Sequence, residues 1–452
     1  GFLNLQGQEG RAARRRPRAF QNGENNAMKS IYRAAIAAAL LSGAGSIALV
    51  TPASAKEKKA EEAKTPPLKL SKDVQPLAAK AQAAIQAKDY ATAAPLVQQV
   101  SAAAKTDDDK YIASVFELQL AVGQSPNGQI DDNKIKPPLD ALIANPRTPQ
   151  ADQARFNYQR GIIAANAKQP QEAIAFFQRA QQLGYTDPNL PLQMVKIKME
   201  SGDIAGGSAD LQKAMDAQIA AGQKPDEQLY RYAMAKTLQK RLIPDSIGWM
   251  KRYITAYPTA KNWRDIVFVY GIQQGAAVTL DKAQKVDLFR LLRREKAMAD
   301  QFDYEIYAQY AIDLGLPNEG KAVIDEGRAA GKLPADSVTA NDLYRVAKQA
   351  IANEGSLDPL DAKSKAAANG KLAAGTADAH LGAGNYAKAI ELYKVALQKG
   401  GVDADAINTH LGIALANSGD TAGAKAAFEA VKGAPRADIA SFWLTALATP
   451  AA

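Results

Sequence analysis

The sequence predicts an all-α protein built as a solenoid of antiparallel helix pairs. Three observations predict this fold class: the composition, the chain length and a residue spacing that recurs along the chain. Hydrophobic residues make up 47% of the chain but aromatic residues only 7%, so alanine and leucine supply most of the apolar surface, as in tightly packed helices. A chain of 452 residues also exceeds the ~250–300 residues at which single cores stop growing, which favours an array.

The N-terminal part of the chain contains a segment that is typical of a secretory signal. Lys29 and Arg33 supply its positive charge, residues 34–50 its apolar stretch, and the small residues ending at Ala55 a cleavage site. We therefore interpret residues 28–55 as a signal peptide of a bacterial exported protein, periplasmic if the source has two membranes. An uncleaved anchor is the alternative, but the apolar stretch is short for a ~20-residue membrane span and is interrupted by Ser and Gly. No cysteine follows that could carry a lipid, so we expect no stable membrane anchor after cleavage.

Two further segments flank the predicted signal peptide. Residues 1–27 carry the run RAARRRPR ahead of what reads as a complete signal, and we interpret them as a non-native upstream extension. The alternative is an arm that binds nucleic acid. Residues 56–73 are rich in Lys and Glu and are broken by Pro66-Pro67, so they are predicted to be a linker.

Charge and cysteine content exclude several classes of function. The chain has no cysteine, which excludes disulfides, thiolate nucleophiles and Cys-based metal sites. Its net charge is +9, but the excess is concentrated before Lys56, and the rest of the chain carries 49 basic against 45 acidic residues. Such a balance is that of an ordinary surface, so we expect no nucleic acid as a partner.

The recurring spacing consists of a small or apolar residue, a turn residue seven positions later, and core residues five, four and three positions further on. The residue and its turn partner are Ala81 and Lys88, Gly161 and Lys168, Val195 and Gly202, Met234 and Arg241, Ala308 and Gly315, Ala377 and Gly384, and Gly412 and Gly419. These copies place repeats over residues 74–433, and they are clearest at 154–222, 301–334 and 370–433. A period near 34 residues is typical of stacked supersecondary units.

A helical hairpin explains this spacing physically. The small residue allows two antiparallel helices to approach, and the turn residue ends the first helix in a left-handed conformation that glycine adopts easily. The core residues of the second helix then share one face. Polar residues that follow the turn are predicted to cap the second helix; they are Asp89, Asp203, Asn385 and Asp420.

Three segments carry a resemblance to a known family. They are RGIIAANAKQPQEAIAFFQRAQ, HLGAGNYAKAIELYKVALQ and HLGIALANSGDTAGAKAAFEAV, and in these segments the chain resembles the tetratricopeptide repeat (TPR) family. The resemblance implies a right-handed TPR-like superhelix whose first helices line a groove that receives protein or peptide segments. The chain departs from the family pattern at Gly207, Gly320 and Gly327, where alanine is usual.

Segments between the clear copies are also predicted to be helical and to continue the stack. They are DDKYIASVFELQLAVGQ, KNWRDIVFVYGIQQ, KAQKVDLFRLLRREKAMA and NDLYRVAKQAIAN. Residues 124–136 are predicted to be an enlarged turn inside one hairpin. Residues 434–452 are predicted to form a capping helix that closes the last repeat, followed by a short tail.

No constellation for catalysis, cofactor binding or metal binding is found in the sequence. The two histidines, His380 and His410, are predicted to lie at helix contacts, and nucleotide-binding and hydrolase motifs are missing. The Asp runs at 107–109 and 131–132 lack the spacing of a calcium loop and are predicted to be solvated turns. The basic run from Arg290 to Lys296 is predicted to be a solvated face, with a docking patch as the alternative.

The expected function is therefore binding. Groove-lining positions estimated from helical spacing are Arg155, Tyr158, Asn166, Lys196, Arg231, Gln239, Glu305 and Gln309. We expect a non-enzymatic scaffold or adaptor of the cell envelope with a protein or peptide partner. The alternative is an accessory component of polysaccharide or peptidoglycan handling that binds glycan or an associated enzyme.

Overall fold

The computed structural model describes residues 67–125, 130–187 and 189–449. These residues form 21 α-helices and one π-helical turn, and no strand occurs among them, which confirms the predicted all-α class. The predicted extension, the signal peptide and the first part of the predicted linker lie outside the described residues. Within the described part, no helix combines the length and apolarity that a membrane crossing requires.

The described chain divides into two compact units, residues 67–221 and residues 222–449. In the first unit, eight helices pack as four consecutive hairpins, α1 with α2, α3 with α4, α5 with α6, and α7 with α8. Their bounds are α1 Val74–Gln86, α2 Tyr90–Ala103, α3 Asp107–Gly123, α4 Asp132–Ala144, α5 Gln150–Asn166, α6 Pro170–Gln182, α7 Leu190–Glu200 and α8 Ile204–Ala220.

The second unit contains the remaining thirteen helices of the described residues. They are α9 Glu227–Gln239, α10 Ile243–Ala256, α11 Ala260–Val267, α12 Lys282–Arg294, α13 Gln301–Asp313, α14 Pro317–Ala329, α15 Val338–Glu354, α16 Asp358–Ala366, α17 Lys371–Gly382, α18 Tyr386–Lys399, α19 Ala404–Ser418, α20 Thr421–Glu429 and α21 Arg436–Ala448. The π-helical turn Phe268–Ile272 extends α11. Hairpins form between α9 and α10, α13 and α14, α17 and α18, and α19 and α20.

The seven predicted turn residues all have positive φ, which confirms the hairpin interpretation of the spacing. Their φ angles are 56° at Lys88, 59° at Lys168, 101° at Gly202, 54° at Arg241, 75° at Gly315, 77° at Gly384 and 90° at Gly419. Three of the seven are not glycine, so a side chain there is held in the left-handed region at an energetic cost.

Three of the four predicted N-caps are confirmed. Asp89, Asp203 and Asp420 each accept a hydrogen bond from a backbone N–H in the first turn of the following helix. Asn385 makes no such side-chain bond, so this prediction is wrong.

The predicted small residues bring helices into close contact. A Cβ atom added at Gly161 of α5 would lie 2.4 Å from ring carbons of Phe177 in α6. The same relation holds between Gly412 of α19 and Phe428 of α20, at 2.6 Å. The core stripe that contains Phe177 is at most 1% exposed, so the hairpin of α5 and α6 packs as the spacing predicts.

The last part of the predicted linker is folded, contrary to expectation. Leu68 and Leu70 pack against the core formed by α1, α2 and α3. Ser71 donates from its N and Oγ to the carboxylate of Asp109, at 2.9 and 2.5 Å. Asp109 is fully buried, so the prediction of a solvated Asp turn is wrong at this residue. The partners lie 38 residues apart, which local composition cannot reveal.

The predicted turn at residues 124–136 joins α3 and α4 of one hairpin. It is shorter than expected, because α4 begins at Asp132 and Asp131 caps it by accepting from the N–H of Asn133. Residues 126–129 lie outside the described residues. The Asp131 side chain thus caps α4 at its start, although Pro137 and Pro138 lie further along the same helix.

The C-terminal helix α21 does more than cap the last hairpin. It packs on α20 as predicted, and it also contacts α10 and α12 of the same unit. Trp443 Nε1 donates to the carbonyl of Asp287 at 3.2 Å, and Tyr270 donates to Asp438 at 3.1 Å. The second unit is therefore closed by contacts between residues more than 150 positions apart.

Candidate functional site

In the first unit, side chains from α3, α5 and α7 meet along one surface. Positions 152, 155 and 158 share one side of α5 because they are three residues apart. We call the surface the first-helix face, and it consists of Tyr111 of α3, Asp152, Arg155 and Tyr158 of α5, Tyr185 and Asp187 of the segment before α7, and Gln193 of α7. It is the strongest candidate for a binding surface among the described residues.

Two stacked tyrosines form the floor of the first-helix face. The rings of Tyr158 and Tyr185 lie 4.3 Å apart between centroids, and Tyr158 also packs against Phe177 at 5.6 Å. The Tyr158 hydroxyl donates to Asp187 Oδ2 at 3.4 Å. Because Tyr158 is only 6% exposed, it positions the other groups, and the half-buried Tyr185 is the more accessible ring.

Two residues of α5 form an ion pair within the face. Arg155 Nη2 donates to Asp152 Oδ1, and both side chains are about one-fifth exposed. Burial raises the pKa of Asp152, and the neighbouring Arg155 charge opposes this rise. Burial also raises the pKa of Tyr111, Tyr158 and Tyr185, so these phenols stay protonated at neutral pH. The face therefore presents one guanidinium, two carboxyl groups and neutral hydroxyls.

Two buried polar atoms of the face lack a partner among the described residues. They are Arg155 Nε, a donor, and Gln193 Oε1, an acceptor. Leaving a buried donor or acceptor unpaired costs about 1–3 kcal/mol, so buried polar groups are usually satisfied.

Four predicted groove residues lie in the first unit, and the structure separates them. Arg155 and Tyr158 belong to the first-helix face. Lys196 lies one turn beyond Gln193 on α7, with its Nζ 3.7 Å from Glu200. Asn166 ends α5 and its Nδ2 donates to Asp132 of α4 at 3.3 Å, so it lies away from the face.

Sequence reasoning missed five members of the face, including Asp187 beside Tyr185. The i, i+3 spacing with Arg155 could have identified Asp152, whereas Tyr111, Tyr185 and Gln193 reach it from other elements. Whether the side chains from these other elements reach the face depends on how successive hairpins stack. The helical spacing within one segment does not predict how hairpins stack.

The other four predicted groove residues lie in the second unit, where most make internal contacts. Arg231 donates to Glu227 Oε1 at 2.7 Å, and Gln309 donates to Asp313 at 2.6 Å. Glu305 is only 7% exposed and accepts from Ser337 Oγ at 2.5 Å, so its prediction as an accessible groove position is wrong. Ser337, which precedes α15, covers it. Gln239 is exposed at the end of α9.

The predicted solvated face on α12 is wrong at Arg290, which is buried, whereas Arg293 and Arg294 are partly exposed and Lys296 is exposed. Arg290 is 7% exposed and binds both oxygens of Glu319 from Nε and Nη2, at 2.8 and 2.7 Å. Arg293 Nε donates to Glu326 at 2.6 Å, and Arg294 Nη1 donates to the carbonyl of Ala416 at 2.9 Å. The acceptors come from α14 and α19, so only the folded chain brings them to α12.

The two histidines lie at helix contacts, as predicted. His380 Nε2 is 2.7 Å from Asp361. His410 Nδ1 is 2.8 Å from Asp378 of α17, and its Nε2 is 3.3 Å from the fully buried Asp287 of α12. Burial lowers the pKa of His410, but the two carboxylates outweigh it and raise the pKa to about 9. Within the described ranges, no cluster of three or more His and carboxylate groups could hold a metal ion.

Comparisons with known proteins find similarity to solved repeat structures. No protein-family model matches the chain, and no curated protein matches it. A complex of the TPR2AB domain of yeast Sti1 with pHSP90 is 12% identical, covers 66% of this chain and 95% of its own, and has a TM-score of 0.21. A TPR protein from Parabacteroides merdae is 11% identical, with 66% and 99% covered and a TM-score of 0.21. Yeast Tom70 is 9% identical, with 82% and 94% covered and a TM-score of 0.22. These scores are low, so the hairpin architecture rests on the helices and turns described above.

Proposed function

We propose that this chain is a non-enzymatic scaffold or adaptor of the TPR-like type, and that the first-helix face of residues 67–221 holds a protein or peptide segment. One observation carries the proposal: tyrosine, arginine and carboxyl groups from three successive hairpins form a half-exposed surface around a stacked ring pair. Tyr and Arg are the residue types that contribute most at binding hot spots.

The charged groups of the second unit differ from those of the first-helix face, and this difference supports placing the binding surface in the first unit. One cluster of the second unit's charged groups lies inside the fold, where Arg290 binds both Glu319 and Asp287. These groups are already satisfied, so they offer little to a ligand. The first-helix face instead carries its arginine and carboxyl groups on partly exposed side chains, which makes it the better candidate for a binding surface.

Photo-crosslinking of the full chain tests the proposed binding surface. A benzophenone amino acid is placed at Tyr111 of the face, or at the exposed Gln171 of α6 as the matched control. We expect one protein adduct from Tyr111 alone, and its loss when Arg155→Glu is introduced into the same chain. The same adducts from both positions, or an adduct unaffected by Arg155→Glu, contradict the proposal. A glycan adduct from Tyr111 favours a role in envelope polymer handling.

We further propose that the protein works in the cell envelope after export, because residues 28–55 match a signal peptide. N-terminal sequencing of the natively expressed protein is the test. A mature chain that begins at Lys56 is expected. A chain that begins at Met28 or earlier contradicts the proposed processing.

A further inference from the structure

We propose that the second unit carries a small-molecule site in the groove between α10 and α21, and that its ligand is a neutral sugar or a similar polyhydroxylated molecule. The groove belongs to a different unit from the first-helix face, and its ligand differs chemically from a protein segment. The inference therefore goes beyond the proposed function and does not rest on it.

The groove is formed by one stripe of residues from each helix. Lys251 and Thr255 lie one turn apart on α10. The residues on α21 and at its C-cap are Ser441, Leu444, Thr445, Ala448 and Thr449. The volume of the groove is about 350 Å³, at the lower end of the ~300–1,000 Å³ that is typical of small-molecule sites. It therefore suits a small ligand.

Three hydroxyl groups of the lining residues donate to carbonyls of their own helices. Thr255 Oγ1 donates to Lys251 at 2.8 Å, Ser441 Oγ to Asp438 at 2.7 Å, and Thr445 Oγ1 to Ser441 at 2.8 Å. A hydroxyl has one proton but two lone pairs, so each of these oxygens can still accept. The groove thus offers several acceptors, and a ligand must supply the donors.

Lys251 supplies donors to the same groove. Its side chain is half-buried, and its charge acts on Asp438, but its ammonium group forms neither an ion pair nor a hydrogen bond with a described residue. An ammonium group has three donors and no acceptor. A ligand oxygen can bind there without displacing a contact within the fold.

This inventory of donors and acceptors selects a neutral polyhydroxylated ligand. Each sugar hydroxyl is both a donor and an acceptor, so it can serve the groove oxygens and the ammonium group of Lys251. A cationic ligand is repelled by Lys251. An anionic group brings acceptors alone, and the nearby carboxyl of Asp438 repels it. Leu444 and Ala448 provide apolar contact for the C–H groups of a sugar ring.

Contacts behind the groove hold α21 in place. Tyr270 of the π-helical turn donates to Asp438 at 3.1 Å, and its ring packs against Phe442 with 5.0 Å between centroids. Both rings are fully buried. A groove that is already formed in this way does not have to be ordered when the ligand binds, which favours affinity.

The test titrates the full chain with disaccharides and follows the methyl resonances of Leu444, Thr445 and Ala448 by NMR. The neutral probes are disaccharides of glucose, galactose, mannose and N-acetylglucosamine. A galacturonic acid dimer is the acidic probe, and a glucosamine dimer is the basic probe. Together they distinguish a polyhydroxyl site from a site for charge.

Two variants remove one groove contact each, namely Lys251→Met and Thr445→Val. Lys425→Met and Thr339→Val are the matched controls, because Lys425 is exposed on α20 and Thr339 lies on α15. For each variant, affinity is read from the resonances of Leu444 and Ala448. Circular dichroism melting checks that every variant is folded.

At least one neutral disaccharide is expected to shift the groove resonances saturably. Lys251→Met and Thr445→Val are each expected to weaken its binding about 5- to 10-fold, since this is roughly the value of one hydrogen bond. Both control variants are expected to bind as the wild type does.

The inference is overturned if no neutral disaccharide shifts the groove resonances, or if the acidic or the basic probe alone does so. It is also overturned if both groove variants bind as tightly as the wild type. Crosslinking at Tyr111 reports on the first unit alone, so failure of the groove proposal leaves the proposed function standing, and the reverse also holds.

Discussion

The hairpin turn requires a left-handed backbone conformation even where the residue is not glycine. This is the case at Lys88, Lys168 and Arg241. Each has φ between 54° and 59°, a conformation that a side chain disfavours by ~1–2 kcal/mol. The repeat tolerates this cost because the turn must reverse the chain at this position. Glycine occupies the other four turns and avoids the cost.

Lys168→Gly is expected to stabilise the protein. Removing the side chain relieves the left-handed strain, while the flexibility that glycine adds to the unfolded chain offsets part of the gain, which leaves about 0.5 kcal/mol. Chemical denaturation followed by circular dichroism measures it. Lys213→Gly is the matched control, because this exposed residue lies within α8, where glycine should destabilise by about 1 kcal/mol. Equal destabilisation by both changes refutes the expectation.

His410 of α19 lies within a cluster of charged and polar groups from four other helices. Asp287 and Arg290 reach it from α12, Asp378 from α17, Tyr393 from α18 and Arg436 from α21. With His410 protonated, its ring bonds to Asp378 and forms an ion pair with Asp287 at 3.3 Å. Without that proton, the charge attraction to both carboxylates is lost inside the fold.

The stability of the second unit is expected to fall at alkaline pH. The pKa of His410 is raised to about 9, so its stabilisation is complete below the ordinary histidine value of about 6.5 and is lost as pH rises through 9. The shift corresponds to at most about 3 kcal/mol. Tryptophan fluorescence can follow this unit, because Trp249, Trp263 and Trp443 are the three tryptophans of the chain.

The matched comparison is His410→Gln. Its stability deficit relative to the wild type is expected to be largest near pH 6 and to shrink towards pH 10. A deficit that stays constant over this range shows that protonation of His410 does not contribute. His380→Gln, at the other histidine, controls for a general effect of histidine loss.

At the scale of elements, the segment that precedes α1 behaves as part of the first hairpins. Lys69 N donates to Asp108 at 2.6 Å, and Ser71 bonds to Asp109. Burial raises the pKa of Asp109, but hydrogen bonds from Ser71 and Thr106 outweigh it and hold the pKa well below its usual range. This carboxylate therefore joins α3 to the chain before α1.

A chain shortened to start at Val74 is expected to be less stable than one that starts at Pro67. It loses the bonds from Ser71 to buried Asp109 and the packing of Leu68 and Leu70, which amounts to about 2–4 kcal/mol. Hydrogen exchange measures the loss as faster exchange in α1 and α3. Identical exchange in the two chains contradicts the assignment. Ser71→Ala, which removes only one donor, should give a smaller change in the same helices.

Helices were predictable from the sequence wherever the hairpin spacing is present. Gly161 against Phe177 and Gly412 against Phe428 are contacts between residues 16 positions apart, and the pattern of small and aromatic residues predicts them. Asn385 shows the limit of such local signals, since its sequence position is that of a cap although the bond is not formed.

At the scale of the whole molecule, the two units differ in how they use their polar groups. The second unit buries Asp287, Arg290 and Glu319 within contacts between its own helices. The first unit keeps Arg155 and Gln193 on a half-exposed face, with one atom of each unpaired. The same repeat pattern thus supports a charged cluster inside one unit and a partly exposed charged face on the other.

Arg436→Met is expected to destabilise the second unit by about 3–5 kcal/mol, because it leaves the buried carboxylate of Asp287 without one of its charged partners. Tryptophan fluorescence during denaturation measures the loss, and hydrogen exchange should show the first unit unchanged. Arg345→Met is the control, because this side chain is 73% exposed. A loss no larger than that of the control shows that α21 does not close the unit.

The sequence by itself determined the helices, the hairpin turns and the small residues at hairpin contacts, because each depends on residues within about 20 positions of one another. Tertiary structure alone decided that Arg290 is buried, that His410 lies between two carboxylates, and that α21 packs on α10 and α12. It also decided that Tyr111 and Gln193 join the face around Arg155. These groups meet only after successive hairpins stack, and that geometry depends on all the helix contacts together.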